Sequence, residues 1–266
     1  MWTVAGALAP TCLYSVYIFG WYSAVLIGVC VATAAVTEAG IQRLRGMPVT
    51  LDDGSAVVMG MLVACNVPPV ISWWLPVLGT CVGMALAKHA FGGLGCNIFN
   101  PARLGRAFLL GAYPKEMTTW KIVGTAQAID ATTTATPLGQ LKEFGMDSLI
   151  QQFGGNKVAL YKGLFFGNIG GCIGETSALL VMAGGLFLLW RKIITWHIPV
   201  VFLGTLALLS WMFGNDPKEL VSWFNGDPLF AVMAGGAMLG AWFMATDMVT
   251  SPVTHRGQMI FAAGCG

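Results

Sequence analysis

From Met1 to Thr37 the chain carries no aspartate, glutamate, lysine or arginine, and residues 54–87 and 193–215 are free of them as well. Runs this long exceed the ~18–20 apolar residues that cross a hydrocarbon core. Water is therefore not the solvent that most of this chain meets. The composition agrees: 56% of the 266 residues are hydrophobic, 10% are charged and the mean hydropathy is +0.72, whereas a soluble domain is about 25% charged. No segment has the pattern of a cleaved signal peptide. The sequence reads as an all-α polytopic membrane protein whose first partner is the lipid bilayer.

Gly, Pro and charges divide the chain into helices expected near 3–20, 21–42, 54–67, 73–90, 101–112, 164–190, 197–213 and 229–246, with another beginning near 257. The spans 54–67 and 101–112 are too short to cross alone, and short Gly- or Pro-bounded helices are tolerated where they line a cavity within the protein. An internal repeat is visible. "DGSAVVMGMLV" (53–63) resembles "ETSALLVMAGG" (175–185), "SWWLPVLGT" (72–80) resembles "TWHIPVVFLGT" (195–205), "AFGG" (90–93) resembles "MFGN" (212–215), and "NP" (100–101) resembles "DP" (227–228). Putting Arg43, Arg45, Arg103, Arg106, Arg191 and Arg256 on the cytoplasmic side makes the two repeats inverted, with a shared site near the midplane lined by broken helices. Three parts are expected: a first helical repeat over 1–112, an exterior loop over 113–163, and a second repeat over 164–266.

The stretch "AIDATTTATPLGQL" (128–141) falls in that exterior loop, with four threonines in the five residues 132–136. Pro137 disfavours helical geometry at Thr136 and pushes it to extended backbone, so its hydroxyl is presented on a turn. The spacing Asp130, Thr133, Ala135, Thr136 resembles D-x-x-(S/T)-x-A-T, the acceptor in which a flavin transferase joins FMN to the last threonine through a phosphoester. Thr134 stands where that acceptor usually has glycine.

Taken with "FGGLGCNIFNPARLGRAFLL" (91–110), "GGCIGETSALL" (170–180), "ITWHIPV" (194–200) and "WFMATDMVTSPVT" (242–254), the chain resembles the RnfD/NqrB family along nearly its whole length, and its RnfD branch above all. The resemblance implies FMN covalently bound to Thr136 and a fold similar to urea transporters. It also implies a role in a complex that couples electron flow between ferredoxin and NAD⁺ to Na⁺ or H⁺ translocation, in a prokaryotic cytoplasmic membrane. The implied partners are the A and E membrane subunits, the flavin-bearing G subunit, the B and C iron–sulfur subunits, and a flavin transferase. By the same comparison the chain begins inside the family's first helical region and ends early in a span, so parts of the terminal helices are expected to be missing.

Other features are weaker. "FGGLGCNIFNPARLGR" contains no G-x-G-x-x-G and follows a membrane helix; it reads as a re-entrant loop. There Asn97, Asn100 and the following helix N-terminus could hydrogen-bond a polar ligand, and some family members bind a second, non-covalent flavin (riboflavin). Trp120 could stack on an isoalloxazine. Glu38, Glu175 and Asp247 interrupt apolar stretches, where a charge needs a partner or a function. All three are candidates for an ion path; Glu38 and Asp247, near helix ends, read first as capping or interfacial carboxylates, and Glu175 as a cation-path or flavin-environment residue. His89, His197 and His255 have no metal-site spacing. The seven cysteines (12, 30, 65, 81, 96, 172, 265) form no CxxC pair and read as buried thiols. A net charge of +2 without a Lys/Arg run offers nothing to a nucleic acid. The rival to a flavin carrier is a channel or facilitator for a small polar solute, which inverted repeats suit equally well. That rival has no use for an exterior threonine run.

Overall fold

The computed structural model of the chain describes residues 1–120, 136–153, 155–167, 169–214 and 223–266. Helices, and no strand, form the regular structure among the described residues. Two compact units separate: unit 1 comprises Met1–Lys121 with Cys172–Gly174, and unit 2 comprises Ile122–Gly171 with Glu175–Gly266.

Unit 1 opens with α1 (Trp2–Phe19) and α2 (Trp21–Leu44), both long and apolar enough to cross a membrane. Gly20, at φ 93°, makes the one-residue hinge between them, a backbone region open to glycine at little cost. Helix α3 (Ser55–Cys65) has 11 residues, about 16 Å at 1.5 Å per residue, roughly half a hydrocarbon core. It stops before Pro68 and Pro69, which cannot continue it. A helix ending inside protein leaves carbonyls unpaired, and a segment from the chain's second half supplies partners here. Ile173 N donates to Val67 O at 3.1 Å, and Cys172 Sγ lies 3.6 Å from Asn66 O as its donor. Gly174 fits this seam because a Cβ there would lie 2.4 Å from Cys65 Cβ. Helix α4 (Trp74–Val82) runs into a π-helical segment, Gly83–His89. Next come α5 (Pro101–Ala112) and the single turn α6 (Pro114–Met117). Leu26, Val67, Ile71, Leu75, Leu109, Met117 and Ile173 form a core of this unit.

Unit 2 departs from the expected spans in three places. The polar segment expected as an exterior loop contains α7 (Pro137–Gln152), kinked at Gly145 (φ 82°), and α8 (Lys157–Phe166). They fold because Leu149, Leu160, Leu164, Ile169, Phe230 and Ala234 give them a core of their own. The span expected over 164–190 is broken: α8 ends at the left-handed Gly167, and α9 (Ala178–Trp190) begins only after Ser177. Gly167 is required there, since a Cβ would lie 1.7 Å from Thr176 O. The span expected over 229–246 is broken too, into α11 (Pro228–Met233), α12 (Ala237–Leu239) and a π-helical turn, Gly240–Met244, separated at Gly235 (φ 67°). Helices α10 (His197–Phe213) and α13 (His255–Cys265) pack together.

Candidate functional site

Thr136 is the N-cap of α7, with φ −58° and ψ 158°, followed by Pro137 at the first helical position. The proline sets this extended geometry and leaves the hydroxyl at the mouth of the helix. There Oγ1 accepts a hydrogen bond from Gly139 N at 3.1 Å. Thr136 is half-buried, so its oxygen sits at a surface rather than in a packed groove. Asp130, Thr133 and Ala135, the remainder of the acceptor pattern, lie outside the described residues.

Within unit 2 a cleft of about 720 Å³ begins two residues further on, at Leu138, and is walled by Leu141, Trp211, Asp147, Lys157 and Asp227. The volume is that of a small-molecule site. Asp227 anchors one side: it N-caps α11, its Oδ1 accepting from Phe230 N at 3.1 Å, while Oδ2 accepts from the Tyr161 hydroxyl on α8. Burial, followed by the Asp227 hydrogen bond and charge, pushes the Tyr161 phenol up to about 12 from 10.0. A phenol pKa raised on folding favours the folded state below pH 10, and this contribution is lost as pH rises from about 10 to about 12. A spectrophotometric titration is therefore expected to show a tyrosine step near pH 12, and Tyr161→Phe should remove that step. A titration of the variant identical to wild type would show that Tyr161 does not carry that step.

The other candidates are placed as follows. Trp120 is half-buried in unit 1. Asn100 N-caps α5, its Oδ1 accepting from Ala102 N and Arg103 N at 3.0 and 3.3 Å, so its carbonyl serves its own helix. Asn97 is buried, with no hydrogen-bond partner for Oδ1 among the described residues. Glu175 closes a short 3₁₀ turn, Ile173–Glu175, in the break between α8 and α9. Beside it Ser177 caps α9 and donates to Phe165 O at 3.0 Å. Asp247 caps the turn after the π segment, accepting from Val249 N and from the Thr250 hydroxyl at 3.3 and 3.4 Å. His197 stacks on Trp196 and on His255, with ring centroids 4.2 and 4.6 Å apart. Cys12, Cys30, Cys65 and Cys172 are buried, whereas Cys96 and Cys265 are exposed.

Glu38 is not the capping carboxylate expected from its place near a helix end. It is 1% exposed and paired with Lys88, itself 3% exposed, whose Nζ lies 2.5 Å from Oε1. Lys88 Nζ also donates to Ser55 Oγ at 2.6 Å, and Ser55 donates to Asp53 Oδ1 at 2.7 Å. Neither Lys88, Ser55 nor Asp53 stands out in the sequence. The available signal is a single lysine ending a 34-residue charge-free run, 54–87, since an ionisable group at such a position needs a counter-charge.

Comparison with known proteins bears on what these sites serve. The model of the NQR2, RnfD, RnfE family matches residues 1–266. The chain is 47% identical over 266 residues to the D subunit of the proton-translocating ferredoxin:NAD(+) oxidoreductase complex of Clostridium ljungdahlii, covering 100% of this chain and 78% of that protein. It is 41% identical to the D subunit of the Na(+)-translocating ferredoxin:NAD(+) oxidoreductase complex of Acetobacterium woodii, with 100% and 77% covered. To the D subunit of the ion-translocating oxidoreductase complex of Stutzerimonas stutzeri it is 39% identical over 282 residues, with 98% and 78% covered. A match over the whole length and identities of this size leave one conclusion: the chain belongs to the NQR2, RnfD, RnfE family.

Proposed function

We propose that this chain is the membrane-embedded, flavin-carrying subunit of an ion-translocating ferredoxin:NAD⁺ oxidoreductase complex, with FMN held by a phosphoester on Thr136. The kinship with the D subunits of such complexes supports the assembly. The observation that carries the flavin reading is the position of Thr136 itself: extended, half-buried and capping the first turn of α7.

The residues present fit the group. An anion at a helix N-terminus meets backbone N–H groups and the positive end of the dipole, an interaction of about 0.3–1 kcal/mol near the surface. Pro137 supplies no N–H but fixes the first turn. Leu138 and Gly139 follow as donors, and Gly139 N already points at Oγ1. The cleft walled by Leu141 and Trp211 offers apolar area to a ring system, and Lys157, Asp147 and Asp227 bring charge to it. When bound, FMN supplies the electron-transfer chemistry, and the protein supplies tether, orientation and electrostatics. Thr136 acts by keeping the carrier from diffusing away, and α7 by fixing the direction in which it leaves the backbone.

In this reading the chain works with the A and E membrane subunits, the flavin-bearing G subunit and the B and C iron–sulfur subunits, after a flavin transferase has modified it. It turns over no substrate alone. It sits in a prokaryotic cytoplasmic membrane with Thr136 on the exterior side. The halves 1–112 and 164–266 are inverted repeats flanking the flavin-bearing segment 113–163, as in urea transporters. Matching caps support the repeat: Asn100 before Pro101 and Asp227 before Pro228 each accept from their own helix's first turn. Glu175 and Asp247 remain candidates for the ion path, and Asn97 and Asn100 for a second, non-covalent flavin.

The test is flavin fluorescence of the denatured protein on a gel. Wild type made in cells that hold the transferase is expected to fluoresce, Thr136→Ala to be dark, and Thr136→Ser, which keeps hydroxyl and cap, to fluoresce. A dark wild-type band would sink the flavin reading and favour a solute channel.

A further inference from the structure

A buried ion pair is an expensive arrangement. Removing two charges from water costs several kcal/mol per ion, and an apolar pair of the same volume packs as well or better. The Glu38–Lys88 pair therefore asks for a function. Glu38 lies on α2 six residues before Leu44, about 9 Å from the helix end at 1.5 Å per residue. Lys88 lies in the π-helical segment Gly83–His89, and such segments are rare and frequent at functional sites.

The pair is not isolated. Ser55, the first residue of α3, accepts from Lys88 and donates to Asp53, whose Oδ1 also accepts from Ser55 N at 2.7 Å. Asp53 is half-buried and so reaches water, while Ser55, Lys88 and Glu38 are buried. Asp53, Ser55, Lys88 and Glu38 thus form an unbroken row of ionisable and hydroxyl groups, each step 2.5–2.7 Å, from the aqueous edge of unit 1 into its interior. At the inner end Glu38 Oε2 is buried with no hydrogen-bond partner among the described residues. On the near side Gln42 Nε2 approaches Oε1 at 3.4 Å and is held by Thr50, and Arg45 is committed to His89 O at 2.6 Å. Beside Lys88, the His89 imidazole has a buried Nε2 that also lacks a partner among the described residues, so Glu38 Oε2 is the atom of the pair itself left open for a further step.

We propose that this row is a proton relay between the aqueous edge of unit 1 and the interior of the membrane protein. A metal cation cannot pass in the same way, because the Lys88 ammonium already fills the position between the carboxylate and the serine. Each step balances. Lys88 gives a proton to Glu38, an N–H bond breaking as an O–H bond forms at Oε1, and an ammonium–carboxylate pair becomes an amine and a carboxylic acid. Ser55 then rotates its hydroxyl and passes its proton to the Lys88 amine. At the same moment Ser55 takes the proton of the Asp53 carboxyl, which water has protonated. The sum is one proton moved from water to Glu38, with Lys88 again cationic, and Oε2 is the atom from which it continues. Under the arginine sidedness proposed above, the entry lies on the cytoplasmic face.

The inference rests on membership of an ion-translocating complex, and not on the ester at Thr136. It is tested in membrane vesicles holding the whole complex, by following proton movement with a pH-sensitive dye while reduced ferredoxin is oxidised by NAD⁺. Losing a positioned proton carrier typically costs about 10²–10⁴-fold in transfer rate. Ser55→Ala breaks the row but keeps the ion pair, and is expected to lower the rate of proton movement by about 10²-fold or more, the lower end of that range. Ser55→Thr restores a hydroxyl and is expected to restore movement. The double variant Glu38→Gln/Lys88→Met keeps a neutral pair in place and should behave like Ser55→Ala, with assembly checked by the subunit content of the purified complex. Proton movement at wild-type level in Ser55→Ala and in the double variant overturns the relay, and so does a wild-type complex that translocates Na⁺ while exchanging no proton. Failure of the flavin reading shows separately, as a dark wild-type band on the gel.

Discussion

Replacing Gly60 by valine is expected to lower the melting temperature of the protein by about 6–12 °C. A Cβ at position 60 would lie 2.6 Å from Val31 Cα, 2.8 Å from Val31 N and 2.9 Å from Cys30 O. These are backbone atoms of α2, and no rotamer change clears them. Helices α2 and α3 must therefore move apart, and α2 is held by Leu26 in the core and by the Glu38–Lys88 pair. Helix association within a membrane depends on close van der Waals packing at small residues, since lipid tails compete equally for apolar surface. Overpacking costs about 1–3 kcal/mol, and a backbone obstacle puts Gly60→Val at or above the top of that range. A loss of about 3 kcal/mol corresponds to a melting temperature lower by about 6–12 °C for a chain of this order of size, readable by fluorescence-detected gel filtration of heated detergent extracts. Gly28 on α2 has open space around it, so Gly28→Ala is the matched control and should melt near wild type. If both variants melt like wild type, α2 and α3 do not touch through their backbones.

The second large effect is a failure of additivity at the ion pair. Lys88→Met leaves the Glu38 carboxylate buried without its cation and Ser55 without its donor. Breaking one side of a buried pair costs about 3–5 kcal/mol, whereas replacing both charges with groups of similar volume is often neutral or stabilising. Glu38→Gln/Lys88→Met should therefore be more stable than Lys88→Met alone, although it carries one more substitution. Thermal stability of the two variants, compared with wild type and Glu38→Gln, checks this. Additive losses would mean that the two side chains do not share a charge interaction.

Much of this chain follows rules that act over a few residues, and those parts are legible without a structure. The charge-free runs require helices in an apolar solvent, and Pro68–Pro69 must end the helix before them. Asn100–Pro101 and Asp227–Pro228 each pair a capping side chain with the residue best suited to the first helical position. Thr136–Pro137 does the same, which is why the geometry of the candidate acceptor could be anticipated while Asp130, Thr133 and Ala135 lie beyond the described residues. The break at Gly235 is hidden in the sequence because its flanking residues are as apolar as a continuous helix would be, whereas the break after Gly167 is marked by Gly170, Gly171, Gly174 and Glu175, which weaken a helix through 168–177. Glycine conformation is set by what crowds it, here Thr176 O and Leu138.

The sequence by itself determined which stretches avoid water, that a helix must stop before Pro68–Pro69, and that Thr136 is extended, because each of these depends on neighbours a few positions away. Only the tertiary structure decided that Lys88 meets Glu38 across 50 residues, that Cys172–Gly174 closes the open end of α3, and that Gly60 lies against the backbone of α2. Those contacts depend on how one helix is seated along another. A local pattern leaves that seating open, and close packing between distant segments fixes it.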